Sequence, residues 1–360
     1  MFYSYIQYNL LFKKPVKTSR NELSSHQVFY ILAFNNKTEF DKIEPTNDDI
    51  YVQKLILQAQ AVGEAAPLKG LSLDESVVES SIIQLCSYLN NLEPLPEDFF
   101  ESIPAVDFAF QTLQFELASD KAKKIFDTQF YNSNSPIEIN GLVWMSNSFE
   151  MEKEAYDKID KGFTTIKFKV GALDFDEECR LIERIRKKYN SWKVTIRLDA
   201  NGGFGNDDAL SMLKDLSRFD IHSIEQPVKQ GQIDIIEKIC RDSKIPIALD
   251  EELIGIDVYH SGDILLKNIK PQYIIIKPTL LGSFDKCNLW IRLCKKHQIG
   301  WWATSALESN IGLNAIAQWT STHINNLPQG LGTGMLYTNN IPSDLYIKKG
   351  KLFFKSKSII

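Results

Sequence analysis

Apolar and polar positions follow two different rhythms along this chain. Up to about residue 130, Tyr3–Phe12 and His26–Phe34 read as two strands. The polar stretch between them, Lys13–Ser25, reads as an exposed loop. A third strand-like piece is expected just before Gly63-Glu64-Ala65-Ala66-Pro67. Glu75–Leu89 and Ala105–Ala118 then carry apolar residues at helical spacing. Strands followed by helices predict a separate α+β domain over residues 1–130.

From Pro136 onward short apolar runs alternate with amphipathic helical stretches. Strands are predicted at Ile137–Met145, Phe163–Val170, Val194–Asp199, Ile221–Glu225, Ile247–Asp250, Tyr273–Lys277 and Gly300–Thr304. Helices are predicted at Asp174–Tyr189, Asp207–Leu216, Ile233–Cys240, Ser283–His297 and Ile311–Thr320. An eighth element is expected near Gly330–Leu336. Alternating strands and helices imply a parallel sheet with helices outside. Seven or eight such units fit a closed barrel over residues 131–336 better than an open sheet. An open sheet would more often carry a Gly-rich phosphate loop after its first strand, and none is present. The last segment, 337–360, is expected to pack back on the N-terminal domain, with Tyr346–Lys349 and Lys351–Phe354 as a hairpin.

Composition narrows the class. At 44% hydrophobic the chain can bury a full core. The net charge of −5 and the lack of a basic block give no electrostatic reason to expect nucleic acid. Five cysteines form no CxxC pair, and their odd number argues against a disulfide framework. They read as reduced, buried thiols of a cytoplasmic protein. The first residues lack the basic start and apolar run of a signal peptide, and no window is long enough for a membrane span. A homo-oligomer is compatible with the sequence.

The candidate chemistry lies at the strand ends. Lys169, Asp199, Glu225, Asp250 and Lys277 close five successive predicted strands, at steps of 30, 26, 25 and 27 residues. The C-terminal rim of a parallel α/β barrel is where such barrels do chemistry, so these charges read as catalytic. Asp199, Glu225 and Asp250 come from neighbouring strands and converge on one arc. Three carboxylates pressed together resist ionisation unless a cation joins them, and all-oxygen ligation selects Mg²⁺ first and Mn²⁺ second. Lys167 and Lys169 are two apart in a strand and therefore point the same way. Side by side they are expected to depress each other's pKa, and a neutral lysine can act as a general base. Lys277, four strands away in an eight-membered ring, faces Lys169 across the pocket. A carboxylate substrate bound to the metal would place its α-carbon between the two lysines.

These segments resemble the enolase superfamily, in its muconate-lactonizing subgroup. The resemblance spans nearly the whole chain. Gly63-Glu64-Ala65-Ala66-Pro67 is similar to the GE-x-x-P turn of the capping domain, and Lys167-Phe168-Lys169 to the KxK of the second barrel strand. Leu198-Asp199-Ala200-Asn201, Glu225-Gln226-Pro227 and Leu249-Asp250-Glu251 resemble the three metal motifs, and Lys277-Pro278 carries the second lysine. Within the subgroup, Ile276–Ser283, the SxxES-type run Ser305-Ala306-Leu307-Glu308-Ser309 and the Gly-rich run Gln329–Gly334 look most like the o-succinylbenzoate synthases. Glu252 departs from the Ser found in many relatives after the fifth-strand Asp-Glu.

The resemblance implies an α/β fold, a modified (β/α)7β TIM-type barrel with an N-terminal α+β capping domain. It implies a Mg²⁺-dependent lyase of menaquinone biosynthesis, acting on a small carboxylate. The reaction is the syn dehydration of 2-succinyl-6-hydroxy-2,4-cyclohexadiene-1-carboxylate. A Lys base opposite bound Mg²⁺ is the established pattern of this superfamily and not a deduction from the spacing. Lys169 is then the base and acid, Lys277 the electrostatic stabiliser, Lys167 the group that tunes Lys169, and Asp199, Glu225 and Asp250 the metal ligands. Arg197, Asn201 and Ser305 are candidate substrate or supporting residues, with an ion pair inside the barrel as an equal reading for Arg197. N-succinylamino acid racemisation, dipeptide epimerisation and muconate cycloisomerisation use the same lysines and metal. Dipeptide epimerases carry a DxD pair after the last strand, and no acid occurs here between Pro328 and Asn340.

Overall fold

Strand β2 (Glu22–Phe34) is apolar along most of its length because both of its faces are covered. It pairs antiparallel with β1 (Phe2–Lys17) on one side and β3 (Ala61–Ala65) on the other. Val28, Tyr30, Leu32 and Phe34 face one core, which they share with the helix Asp49–Gln58 and with Leu307, Tyr337 and Ile341. Phe29, Ile31 and Ala33 face a second core under the helices Val78–Asn91 and Pro104–Leu117. The first core seats this sheet on the rest of the molecule. The computed structural model describes residues 1–17, 22–36, 48–171, 173–323 and 325–355.

Two expectations change here. Most of the stretch Lys13–Ser25 is strand, not loop: the β1–β2 ladder shifts register after Leu11 and resumes at Val16↔Leu23. Val16 is buried and Leu23, its partner across the ladder, packs against the same core, so these two apolar side chains anchor a largely polar segment. Residues 18–21 of that stretch lie outside the described residues. Gly63 and Glu64 belong to β3 itself, where a turn was expected. The helix Pro104–Leu117 crosses so close that a Cβ at position 63 would lie 2.0 Å from the Ala109 carbonyl oxygen, so only glycine fits.

The second half is a curled parallel sheet. Its strands are β5 (Gly141–Val143), β6 (Thr165–Lys169), β7 (Thr195–Asp199), β8 (Ser223–Glu225), β9 (Ile247–Leu249), β10 (Tyr273–Ile276) and β11 (Gly300–Ala303). They are hydrogen-bonded in sequence order, with helices between them outside. The first predicted strand, Ile137–Met145, is broken: Ile137–Glu138 (β4) pairs antiparallel with the C-terminal hairpin instead. Among the described residues, two bridge positions close the barrel. Gln329 bridges to Ile139 and Gly330 to Thr304, both parallel. Thr333–Met335, inside the expected eighth element, forms a helical turn.

After the barrel, Thr338 N–H donates to the Leu11 carbonyl and Asn339 bonds Asn9 and Leu11 of β1. The hairpin β12 (Leu345–Lys348) and β13 (Lys351–Phe354) follows. Residues 356–360 of that segment lie outside the described residues. All five cysteines are buried and unpaired. No helix among the described residues is long and apolar enough to cross a membrane.

Candidate active site

Parallel register lines up the charged strand ends. Lys169 sits opposite Asp199, and Asp199 opposite Glu225. One layer below, Lys167 sits opposite Arg197 and Arg197 opposite Ser223. Asp250 and Lys277 follow β9 and β10 directly. Side chains two apart on a strand share a face, so both layers point into the barrel. Above them opens a cavity of about 190 Å³. Lys167, Lys169, Asn201, Glu251, Lys277 and Ser305 are among the polar residues that line it. Leu23, Leu68, Leu142, Trp144 and Leu307 supply apolar walls, so the N-terminal half of the chain contributes to it.

The lysines and carboxylates are interleaved. Lys167 Nζ lies 2.8 Å from Asp199 Oδ2 and also donates to Glu225 Oε2. Lys169 Nζ donates to Asp199 Oδ2 at 2.7 Å and to Asn201 Oδ1 at 2.6 Å. Lys277 Nζ donates to Asp250 Oδ2. Asn201 Nδ2 reaches Glu251 Oε1 at 2.9 Å, which ties the third strand end to the fifth. Asp199, Glu225 and Asp250 are essentially shielded from water. Burial alone would push Lys167 down, but Asp199, Glu225 and Asp250 outweigh it and hold the ammonium above its ordinary range. The facing acids therefore outweigh the depression expected from Lys169 at Lys167. Burial is overcome in the same way at Asp199, which Lys167, Lys169 and Lys277 hold well below the usual carboxylate range. Glu225 is pushed up to about 7, chiefly by burial, with Asp199 and Asp250 adding and Lys167 opposing. Burial and Asp250 also raise Glu251.

Arg197 lies outside the cavity lining. It is fully buried, its guanidinium carbon is 3.9 Å from the centre of the Trp302 ring, and Nη1 donates to the Pro328 carbonyl at 2.7 Å. Its Nε and Nη2 have no partner, and it makes no salt bridge among the described residues. Burial lowers it to about 10, and Glu225 opposes that. Ser305 lines the cavity, accepts from the Thr333 hydroxyl at 2.7 Å and donates to Glu308.

Several participants were not singled out from the sequence. Glu251 lines the cavity directly after Asp250. Gln226, at a φ of +38°, accepts from the Asp250 and Glu252 N–H groups and donates to Glu252 at 3.0 Å. Glu252 also accepts from Gly231 N–H at 2.9 Å, so this departure from the Ser of relatives braces the turn behind Glu225. Glu64 and Glu308 are both fully buried. Burial pushes Glu64 up to about 7 against the opposing donors of Ser309 and Gly312. Gln226, Glu251, Glu64 and Glu308 all fall inside the short motifs noted above, which is the signal that could have found them.

The donor set suits a hard divalent cation. Four acids, Asp199, Glu225, Asp250 and Glu251, meet three lysines, and Glu225 Oε1 and Glu251 Oε2 are buried without partners. Surplus buried carboxylate oxygen without a donor is what oxygen ligation of Mg²⁺ requires. Among the described residues no three of these side chains stand as a ready ligand set, because the lysines occupy their oxygens.

Comparison with known proteins agrees with this geometry. The family described as "Enolase C-terminal domain-like" matches residues 150–354. An o-succinylbenzoate synthase of Desulfotalea psychrophila is 38% identical over 97% of this chain and 98% of its own. The crystal structure of MenC from the same organism superposes with a TM-score of 0.81 at 34% identity, covering 98% of this chain and 99% of that one. An o-succinylbenzoate synthase from Thermosynechococcus elongatus, solved with magnesium in its active site, has a TM-score of 0.68 at 21% identity over 92% of both chains. The chain belongs to the enolase superfamily, and within it to the o-succinylbenzoate synthases.

Proposed function

We propose that this protein dehydrates 2-succinyl-6-hydroxy-2,4-cyclohexadiene-1-carboxylate to o-succinylbenzoate, with Mg²⁺ held by Asp199, Glu225 and Asp250. The observation that carries the reading is 38% identity over 97% of the chain to a synthase of that name, together with Lys169 and Lys277 lining one cavity, four strands apart. A bound Mg²⁺ supplies charge stabilisation to the substrate carboxylate as the α-proton leaves. Lys169 Nζ, aimed by Asp199 and Asn201, takes the proton from C1 in its neutral form. It returns that proton to the hydroxyl departing from C6. The C1–H and C6–O bonds break, one water leaves and the ring becomes aromatic. Lys277 places a second positive charge opposite, against the charge that develops. The walls Leu68, Leu142, Trp144 and Leu307 exclude water from these groups. Residues 328–340 bring Gly330, Gly332, Thr333 and Leu336 to the cavity and no acid to hold an amino group, which favours dehydration over dipeptide epimerisation.

The test is an ultraviolet assay of the purified protein with the cyclohexadiene substrate, with Mg²⁺ and with EDTA. Metal-dependent loss of the diene absorbance, abolished by Lys169→Ala, is the expected result. A folded, Mg²⁺-supplied protein that leaves the diene untouched rejects the proposal, and N-succinylamino acids become the next substrates to assay.

A further inference from the structure

Two motifs that the proposed chemistry leaves unused meet each other in the fold. Glu64 comes from β3, and Ser309 precedes the helix Asn310–Thr320, 245 positions later. Glu64 is fully buried yet makes no salt bridge among the described residues. Its Oε1 accepts from the Ser309 N–H at 2.6 Å. Its Oε2 accepts from the Ser309 hydroxyl at 2.6 Å and from the Gly312 N–H at 2.7 Å. The Ser309 oxygen in turn accepts from the Ile311 N–H at 3.1 Å. A carboxylate from a distant strand thus completes the cap of this helix, where free N–H groups and the helix dipole favour an anion. Gly312 permits the approach: a Cβ there would lie 3.1 Å from Glu64 Oε2 and 2.8 Å from Glu308 Cβ.

What this clamp holds is a wall of the cavity. Thr304, Ser305, Ala306 and Leu307 line it. Leu307 has a φ of +71°, a left-handed conformation that a residue with a side chain keeps only where its surroundings over-determine it. Those surroundings are on both sides. From within the barrel, Glu308 accepts from the Ala306 N–H at 2.9 Å and from the hydroxyls of Ser305 and Thr279. The Tyr337 hydroxyl donates to the Leu307 carbonyl at 2.6 Å. From the N-terminal sheet, Glu64 fixes the next residue, Ser309.

We propose that Glu64 is a positioning residue: it docks the N-terminal sheet onto the start of the helix Asn310–Thr320 and so sets the Ser305–Leu307 wall against the non-reacting part of the substrate. The substrate named in this inference rests on the function proposed above. Glu64 itself is absent from the cavity lining, so its effect passes through Ser309.

The test compares Glu64→Ala, Glu64→Gln and Ser309→Ala with the wild type, in the full chain with Mg²⁺. The first readout is hydrogen exchange of the amides of 305–312. Hydrogen bonds to a buried carboxylate are worth roughly a factor of ten or more, so exchange should quicken about tenfold in Glu64→Ala. Glu64→Gln keeps one acceptor oxygen and should fall between. Protection of β6 and β10 should not change. The second readout is kinetic. KM for the cyclohexadiene and the Kd for o-succinylbenzoate should rise about tenfold with a smaller change in kcat, as expected when uniform binding is lost. The double variant with Ser309→Ala should lose less than the two single losses combined, because the Ser309 hydroxyl and Glu64 share one of their contacts. Unchanged exchange at 305–312, or a fall in kcat at constant KM, overturns the proposal. A wild type that does not turn over the diene rejects only the function, and the exchange data still decide the clamp. If Glu64→Ala is insoluble, Glu64→Gln and Ser309→Ala carry both readouts.

Discussion

Two clusters of buried carboxylates share this barrel rim, and they are partnered in opposite ways. Asp199, Glu225 and Asp250 are held by the ammonium groups of Lys167, Lys169 and Lys277. Among the described residues, Glu64 and Glu308 are held by backbone N–H groups and hydroxyls alone. An ammonium sits on a flexible stem, and another cation can take its place on the same oxygens. A backbone N–H stands where the fold puts it. The first cluster can therefore rearrange around a metal and a substrate, while the second can only hold a shape.

The comparison is broken most severely at the lysines. Lys169→Ala should cost at least about 10³-fold in kcat, within the range for loss of a positioned acid–base group. Its Tm should move little by comparison, because Lys167 still pairs with Asp199 Oδ2; a comparable collapse of Tm would mean that the lysine is a structural group. Lys167→Met should act differently. It removes the cation between Asp199 and Glu225, and an uncompensated buried charge costs about 3–5 kcal/mol. Mg²⁺ should restore part of that stability, since a ligand that binds only the folded state stabilises it by mass action. Unfolding in urea with Mg²⁺ and with EDTA measures this, and an identical deficit in both would remove the idea that a metal and these lysines serve the same oxygens.

The second cluster should show no such rescue. Glu308→Gln leaves one acceptor oxygen for the Ser305 and Thr279 hydroxyls and the Ala306 N–H. A loss of about 1–3 kcal/mol is expected for the group left unsatisfied, equal with Mg²⁺ and with EDTA. A deficit that Mg²⁺ repairs would place Glu308 in the first cluster and erase the distinction.

The two clusters also differ in how legible they are in sequence. Lys169, Asp199, Glu225, Asp250 and Lys277 could be read because a strand has a fixed side-chain period and its last residue has a fixed place on a barrel rim. Each needed only its own strand. Glu64 and Ser309 needed each other across 245 positions, and no local pattern encodes that pairing. Val16 was misread for the same reason: its polar neighbours describe a loop, and only the distant core describes a strand. Barrel closure through Gln329 and Gly330 is invisible to any periodicity, since two residues have none. The charge state of Lys167 failed on a different ground. Proximity to Lys169 is local, but the acids that decide the matter come from three other strands.

The smallest expected effect sharpens the comparison through protons. Lysine partners hold Asp199 below the usual carboxylate range, whereas neutral donors leave burial in charge of Glu64, which is pushed up to about 7. Between its ordinary value near 4.5 and about 7, Glu64 keeps a proton in the folded chain and has lost it in the unfolded one. The folded state then binds more protons, so this group's contribution to stability is full below pH 4.5 and is lost as pH rises toward 7. A rise of this size corresponds at most to something on the order of 3 kcal/mol, and relaxation around the carboxylate will reduce it. Glu64→Gln cannot titrate. Its stability should fall less steeply than that of the wild type between about pH 5 and 7.5, and the difference between the two curves isolates Glu64 from Glu225 and every other group that titrates in that window. Equal slopes would mean that the three donors from Ser309 and Gly312 already hold Glu64 ionised as firmly as lysines hold Asp199. The contrast between charged and neutral partners would then be one of geometry alone.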